Sequence, residues 1–364
     1  VAMSSAGKLR KQLPGLVEKL DQFLPLARVE SILKAYTTTR RTTFRLNRLR
    51  VKGKQAEEAV LGGIQEKLEE LSSRKRAVRL ERCPWSEDAF IVSPAGVQVK
   101  HLIDLHAHKQ GLFHFQSWSS MIPPLCIDYM RGGHLLDMCA APGGKASMIA
   151  ERMKEGCRLV VNEKDRRRYE KMCFILSQLV PDDLLPALSL RNCDARKFRL
   201  VDGEQEASEG RQDGSKFDKT ISQAFDTILL DAPCSGEGII NMGEPGSYKN
   251  WSLQWVADHV ALQRQLLETA VSLLKRGGQL VYSTCTLNPE ENEENVAWIL
   301  SSCPEVSVEE LPPPFRANDG GFREQDCFAK GLMGSLSQAQ AARCLRVYPS
   351  ETMEGFFVCR LRKN

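Results

Sequence analysis

The sequence predicts an α/β protein built on a doubly wound parallel sheet, with a smaller α+β module before it. Three observations predict it. From about residue 112 onward, short apolar runs alternate with helical periodicity. A glycine-rich turn, DMCAAPGGKAS at 137–147, follows the first of these runs. Later runs end in an acid or a cysteine, and ligands of such sheets sit at the carboxyl ends of the strands.

Residues 8–35 read as two helices, with Leu9, Leu13, Leu16, Val17 and Leu20 on one stripe and Phe23, Leu26, Val29, Ile32 and Leu33 on the next. Residues 55–71 form a further amphipathic stretch, and Ala89–Val92 is a strand candidate among Pro84, Pro94, Gly96 and Gly111. The expected division is 1–111 for the amino-terminal module and 112–364 for the larger domain. In the larger domain the expected strands are Leu135–Met138, Arg158–Val161, Leu188–Leu190, Thr227–Leu230 and Gln279–Tyr282. The expected helices are 145–155, 165–179, 254–275 and 290–301. Residues 202–219 are polar and glycine-containing and read as a surface insertion.

The chain has 364 residues, 42% hydrophobic and 26% charged, with a net charge of only +4. The charge is unevenly spread: Arg40, Arg41, Arg45, Arg48, Arg50, Lys52, Lys54, Arg74, Lys75, Arg76, Arg79 and Arg82 fall in one segment. Such a module suits a nucleic-acid partner, and a solvated helical face is the alternative. Twelve cysteines include no CxxC pair, which disfavours zinc ribbons and dithiol redox motifs. With no secretory signal, they fit an intracellular, reducing compartment; mitochondrion and nucleus or cytoplasm stay open. No apolar run reaches the roughly 18 residues of a membrane span, so no membrane partner is expected. His101, His106 and His108 lack supporting carboxylates or thiols, so no metal is expected.

The glycine-rich turn does not fit a phosphate cradle. A Walker loop needs G-x-x-x-x-G-K-[ST], but Cys139 stands where the first glycine belongs and Ala146 replaces the magnesium-binding hydroxyl. No G-x-G-x-x-G is present. Glu163, after the second strand, is placed to accept from a ribose diol. Asp194, after the third, is placed to accept from an adenine amino group. A nucleoside without phosphates, held this way, points to S-adenosylmethionine. Cys234 and Cys285 end the fourth and fifth strand segments, and a thiolate attacks an electron-poor carbon such as carbon 6 of cytosine.

These stretches resemble the Sun-type RNA cytosine-5 methyltransferases, the group that includes bacterial RsmB and the eukaryotic NSUN enzymes. LDMCAAPGGK (136–145), DAPCSGEG (231–238) and STCTLNPEENE (283–293) carry the resemblance, with FRLNRLR (44–50), HFQSWSSMIPP (114–124) and RVYPSETMEGFF (346–357) beside them. Glu163 and Glu354 stand where the family more often has Asp.

The resemblance implies a Rossmann-like methyltransferase domain with an RNA-binding module. It implies that Cys139, Ala140, Ala141, Pro142, Gly143, Gly144 and Lys145 wrap the methionine part of S-adenosylmethionine, with Glu163 on the ribose, Asp194 on the adenine and Asp231 beside them. Cys285 is the implied nucleophile, Cys234 releases the product, and Asp231 and Lys145 contact the cytosine. Arg45, Asn47, Arg48 and Arg50 are the expected RNA contacts, and Trp118, Trp251 and Tyr248 the aromatics available for stacking. Ribosomal RNA is favoured over transfer RNA as substrate, with a ribosomal subunit or assembly factor as a further partner. A fold that only clamps RNA is the alternative.

Overall fold

The computed structural model describes residues 5–72, 77–200, 220–221, 224–316 and 327–364. The expected insertion at 202–219 and the basic residues Arg74, Lys75 and Arg76 lie outside them.

The chain begins with three helices rather than two: α1 (Ser5–Gln12), α2 (Pro14–Phe23) and α3 (Leu26–Thr37). Pro14 opens α2 at its first turn, where its missing N–H costs nothing, and Pro25 caps α3. Leu16, Leu20, Ile32, Leu33 and Tyr36 bury their stripe against Ile240, Leu287 and Tyr348. These helices therefore complete a core with loops of the larger domain.

A four-stranded antiparallel sheet follows, in the order β2 (Arg79–Arg82), β3 (Ala89–Ser93), β1 (Thr43–Leu46), β4 (Phe113–Phe115). Helix α4 (Lys54–Glu70) contributes Val60, Ile64 and Leu68 to a core with Phe44, Leu46, Phe90 and Phe113. Strand β4 lies just past the expected boundary at 111/112, so that boundary cuts this sheet. Two short helices, α5 (His106–Lys109) and α6 (Trp118–Leu125), flank β4.

The large sheet starts at β5 (His134–Asp137) and steps outward through α7 (Gly144–Arg152), β6 (Arg158–Asn162), α8 (Arg166–Leu179) and β7 (Leu188–Arg191). A two-stranded pair, β8 (Arg199–Leu200) and β9 (Thr220–Ile221), stands apart. The chain then returns past β5 to β10 (Phe225–Asp231), and helix α9 (Leu253–Leu273) leads to β11 (Leu274–Thr284). Strands β7, β6, β5, β10 and β11 are parallel, as expected, and the order reverses between β5 and β10. A crevice opens outside the carboxyl ends at that reversal.

Alternate side chains of each strand face opposite layers, as the two-residue period of a strand requires. Leu135, Leu159, Val161, Leu229 and Val281 pack toward Ile122, Ile149 and Met172. Leu136, Ile228, Leu230 and Leu280 pack toward Leu266, Leu267 and Val296.

The sheet departs from the expected all-parallel form at its far side. After α10 (Glu293–Ser302) come β12 (Val306–Glu309), β13 (Phe328–Lys330), α11 (Gln338–Ala341), β14 (Leu345–Val347) and β15 (Phe356–Lys363). Strand β15 runs antiparallel to β11, and β12 and β14 both pair with β15. No helix intervenes between β14 and β15, so the chain returns directly and the pairing is antiparallel.

Candidate active site

The loop after β5 brings the backbone round in a tight turn. Gly143 caps α7 with φ +109°, a conformation that favours glycine. At Gly144 a Cβ would stand 3.3 Å from Gln116 Oε1 and 3.4 Å from His114 Nε2. The loop residues Cys139, Ala140, Ala141, Pro142, Gly144 and Lys145 line a pocket of about 240 Å³, closed on the other side by β4 and Glu354.

Asp137 forms the floor of this pocket. It is fully buried, and neither carboxylate oxygen has a hydrogen-bond partner. Burial, with Asp231 nearby, pushes its carboxyl up to about 8. Sequence reasoning did not assign it a role, although it sits directly after an apolar run. Asn162, also missed, donates to Met138 O and Cys193 O and so ties three strand ends together.

Glu163 is buried at the end of β6. Its Oε1 accepts from Asp165 N–H, while Oε2 has no hydrogen-bond partner and Arg168 Nη1 stands 3.4 Å away. An orphaned carboxylate oxygen here suits a diol, and the unpaired Asp137 suits a cationic group. These residues fit S-adenosylmethionine, whose sulfonium and ammonium groups are cationic and whose ribose carries a diol.

Asp194 departs from expectation. It caps a short turn, and Arg196 Nη2 and Lys164 Nζ hold its Oδ2 at 2.6 and 3.1 Å while Arg196 Nε sits 3.0 Å from Oδ1. The Arg196 guanidinium holds its carboxyl well below the usual range. With both oxygens engaged, Asp194 does not present a free acceptor to an adenine.

Adjacent to the small pocket lies a cleft of about 970 Å³ that shares Lys145, Asp231, Ser120 and Glu354 with it. Cys285 faces this cleft from the end of β11. Cys234 comes from the loop after β10, and the two Sγ atoms are 3.2 Å apart. The hydrogen bond with Cys285, together with burial, pushes the Cys234 thiol well up. Lys145 Nζ is 2.7 Å from Asp231 Oδ2 and donates to Ser120 Oγ at 2.8 Å. Ser283 Oγ donates to the other Asp231 oxygen at 2.8 Å. Burial works against the Lys145 ammonium, but Asp231 more than offsets it and holds the ammonium above its ordinary value. Phe356 lies under that ammonium, 5.3 Å from Nζ to the ring centre. Cys285, Lys145 and the Asp231–Cys234 segment, with Ser120 and Phe356 beside them, therefore converge between the two cavities.

The RNA-binding expectation for the amino-terminal row is corrected. Arg45 is buried and donates to Gln116 Oε1 and Ser147 Oγ, with Glu151 at 3.0 Å. Asn47 is buried and donates to Gly111 O and Leu179 O. Arg48 pairs with Glu57 and Asp88, and Arg50 donates to Val180 O. Instead of facing RNA, Arg45, Asn47 and Arg50 clamp the small sheet onto α7 and the end of α8, and Arg48 ties the small sheet's own loops to α4. Arg40 donates to Ile239 O and Ile240 O, and Arg41 pairs with Glu81 and Glu351. Arg40 and Arg41 do border the large cleft, as does Lys100.

The aromatic candidates also divide. Trp118 is buried in the core and cannot stack on a base. Trp251 donates to Glu237, and it and Tyr248 pack against the core of the first three helices. Among the described residues no group of His, Cys, Asp or Glu could hold a metal, and no helix is long and apolar enough to cross a membrane.

A reversed-order parallel sheet, a nucleoside-sized pocket at its switch point and two apposed strand-end cysteines define a Rossmann-like methyltransferase fold carrying a two-cysteine site. The family described as 16S rRNA methyltransferase RsmB/F matches residues 125–362, and the chain belongs to it.

Ribosomal RNA small subunit methyltransferase F of Klebsiella pneumoniae is 35% identical over 289 residues, 79% of this chain and 52% of that protein. The Citrobacter koseri protein of the same name is 34% identical over 285 residues, 77% of this chain and 51% of its own. The chain thus spans about half the length of the curated relatives it matches. A methyltransferase homologue from Pyrococcus horikoshii superposes with a TM-score of 0.69 at 25% identity, over all of both chains. The NSun6 structure from the same organism, solved with SFG, shares the fold with a TM-score of 0.68 at 20% identity, covering 96% of this chain and 97% of that one.

Proposed function

We propose that this chain transfers a methyl group from S-adenosylmethionine to carbon 5 of a cytidine in RNA, with small-subunit ribosomal RNA as the substrate class. The observation that carries the reading is the apposition of Cys285 and Cys234 beside the Lys145–Asp231 pair, at the mouth shared by the two cavities. The names of the curated relatives support the ribosomal substrate.

When bound, S-adenosylmethionine supplies an electrophilic methyl. Glu163 and Asp137 would hold its diol and its cationic part, and the loop 139–145 would wrap it. The protein's own task is to make carbon 5 of cytosine nucleophilic. Cys285, as a thiolate, adds to carbon 6 and forms a carbon–sulfur bond, and the ring electrons shift toward carbon 5. Negative charge then develops on the ring, and the Lys145 ammonium, held by Asp231 and Ser120, would face it, a preorganised contact that favours the transition state over the ground state. After methylation the carbon 5 proton leaves to a base in the Cys234 loop, the carbon–sulfur bond breaks, and Cys285 recovers its electron pair. The base must stand out of its stack to reach Cys285, so the RNA is single-stranded or locally opened. Arg40, Arg41 and Lys100 around the large cleft suit the flanking phosphates.

The test is transfer of a tritiated methyl group from S-adenosylmethionine to RNA and to isolated small subunits. Label recovered as 5-methylcytidine supports the reading, and the size of the labelled RNA gives its class. A bound cofactor with no transfer to RNA or to subunits would sink it and leave an RNA-clamping role.

A further inference from the structure

We propose that Glu237 and Glu291 share one proton, carried by Glu237, and that this pair locks the two cysteine loops in register. Both carboxylates are buried, and neither enters the chemistry above. Each belongs to the motif of one cysteine: Glu237 to DAPCSGEG and Glu291 to STCTLNPEENE.

The residues next to the cysteines connect them. Ser235 follows Cys234, and Thr286 follows Cys285. Four side-chain oxygens form a line. Glu237 Oε2 is 3.1 Å from Thr286 Oγ1, Thr286 Oγ1 is 2.8 Å from Ser235 Oγ, and Ser235 Oγ bonds Glu291 Oε1.

Three oxygen–oxygen contacts need three hydrogens. Serine and threonine hydroxyls supply one each, and an ionised carboxylate supplies none. The third hydrogen must sit on a carboxyl group. With two carboxylates, one contact would set lone pair against lone pair in a buried site, at the cost of an unsatisfied polar group.

The outer oxygens say which carboxyl carries it. Glu291 Oε2 accepts from Ser235 N–H at 2.9 Å and from Gln263 Nε2 at 2.8 Å, two donors that favour the anion. Glu237 Oε1 accepts from Trp251 Nε1, at 3.0 Å, with the Asn288 amide beside the carboxyl, and among the described residues no backbone N–H donates to it as Ser235 N–H does to Glu291. The chain of donation then runs from Glu237 to Thr286 to Ser235 to Glu291, all in one direction. Burial, with Glu291 beside it, pushes Glu237 up to about 7, in accord with that order.

The other ionisable groups facing the pair are Tyr36 on α3, Arg40 before β1, Arg346 on β14, Tyr282 on β11 and Cys234. Burial pushes both tyrosines well up, and Cys234 is raised as well. Arg346 keeps its charge beside Glu293. Burial raises the Glu291 carboxyl too, against the pull of its donors, and Glu237 is the one brought to about 7. Neither glutamate reaches the reacting atoms, so both are positioning residues. Their effect on turnover rests on the methyltransferase reading; the protonation does not.

Two variants separate the roles. In Glu237→Gln the amide N–H₂ can replace the donor to Thr286 while its oxygen still accepts from Trp251. Turnover should stay within a few-fold of wild type, and the fall of wild-type kcat above about pH 7 should disappear. In Glu291→Gln one oxygen must serve donors that two served before, and kcat should drop roughly tenfold or more. The infrared spectrum of wild type minus that of Glu237→Gln at pH 6 should show a protonated-carboxyl band, the contribution of the buried Asp137 carboxyl cancelling between the two. That band decides the protonation even if no methyl transfer is found or Glu291→Gln does not fold. A wild-type-minus-variant spectrum without that band would overturn the proposal. So would a Glu237→Gln as damaged as Glu291→Gln.

Discussion

Gly238 and Gly355 meet backbone to backbone. The Gly355 N–H donates to Gly238 O at 2.9 Å, and a Cβ on Gly238 would stand 2.1 Å from the Gly355 carbonyl oxygen. The turn after Cys234 is thereby seated on the strand that passes under Lys145. Gly238→Ala should force these backbones apart and cost several-fold in activity along with a clear loss of melting temperature. Gly63→Ala is the control: it lies in α4 with nothing near its Cβ position and should gain about 0.5–1 kcal/mol from helix propensity. Thermal denaturation of the two variants checks both signs.

The cysteines should behave unequally. Cys285→Ala removes the attacking sulfur, so methyl transfer should vanish while S-adenosylmethionine still binds, read by calorimetry. Cys234→Ala leaves addition intact and impairs release. It should accumulate a protein–RNA adduct that survives denaturing gels. An adduct formed by Cys285→Ala instead would reverse the two roles.

Lys145 is predicted to act through Asp231 and the ring it contacts. Lys145→Met keeps much of the volume but removes the ammonium 2.7 Å from Asp231. Loss of such a preorganised partner costs on the order of 10²-fold in kcat. The measurement is single-turnover methylation, which isolates the chemical step from product release. A change confined to KM would assign Lys145 to binding alone.

Arg45 should report on stability and not on RNA affinity. Arg45→Ala leaves Glu151, itself largely buried, without its partner, and breaking a buried pair costs about 3–5 kcal/mol. Urea unfolding measures that loss. The salt dependence of RNA binding by the folded variant should keep the wild-type slope, since no phosphate contact is lost.

Asp137 ties cofactor affinity to pH. Its carboxyl is raised from an ordinary 3.8 to about 8 in the folded chain, so the folded state holds its proton more tightly than the unfolded one. The stabilisation is fully present below about 3.8 and is lost as pH rises through about 8. A cation entering the pocket favours the ionised form. Affinity for S-adenosylmethionine should therefore rise between pH 7 and 8, with proton release on binding. Calorimetry in buffers of different ionisation heat measures the proton, and Asp137→Asn should abolish it.

The parallel half of the large sheet was legible because each strand is a compact apolar run followed by a helix. Cys234, Cys285 and the 139–145 loop were legible for the same reason: strand ends fix where a residue points, and the helix that follows fixes the turn. The far side of the sheet was not. Strands such as Leu345–Val347 have three residues, too few to show a period, and Arg346 is buried there by its pairing with Glu293. Charge misled more than pattern did. Arg45 and Arg48 read as an open basic surface, but their acids, Glu151 and Asp88, lie 106 and 40 residues away. Asp194 was placed correctly at a strand end, and the neighbouring Arg196 that occupies it was the missing term. Asp137, Glu237 and Glu291 stood inside quoted motifs, yet only three dimensions show that their oxygens are orphaned or share hydroxyls.

Strand β15 carries a consequence for how the molecule comes into being. It runs between β11 and the strands β12 and β14, so residues 356–363 form an interior member of the sheet. On a ribosome, β11 emerges some eighty residues earlier and waits with one side open. Until the later segment arrives, the Lys145 ammonium has no Phe356 ring beneath it and the Cys234 loop has no Gly355 to seat it. The reactive centre is complete only once β15 has taken its place between β11 and β14.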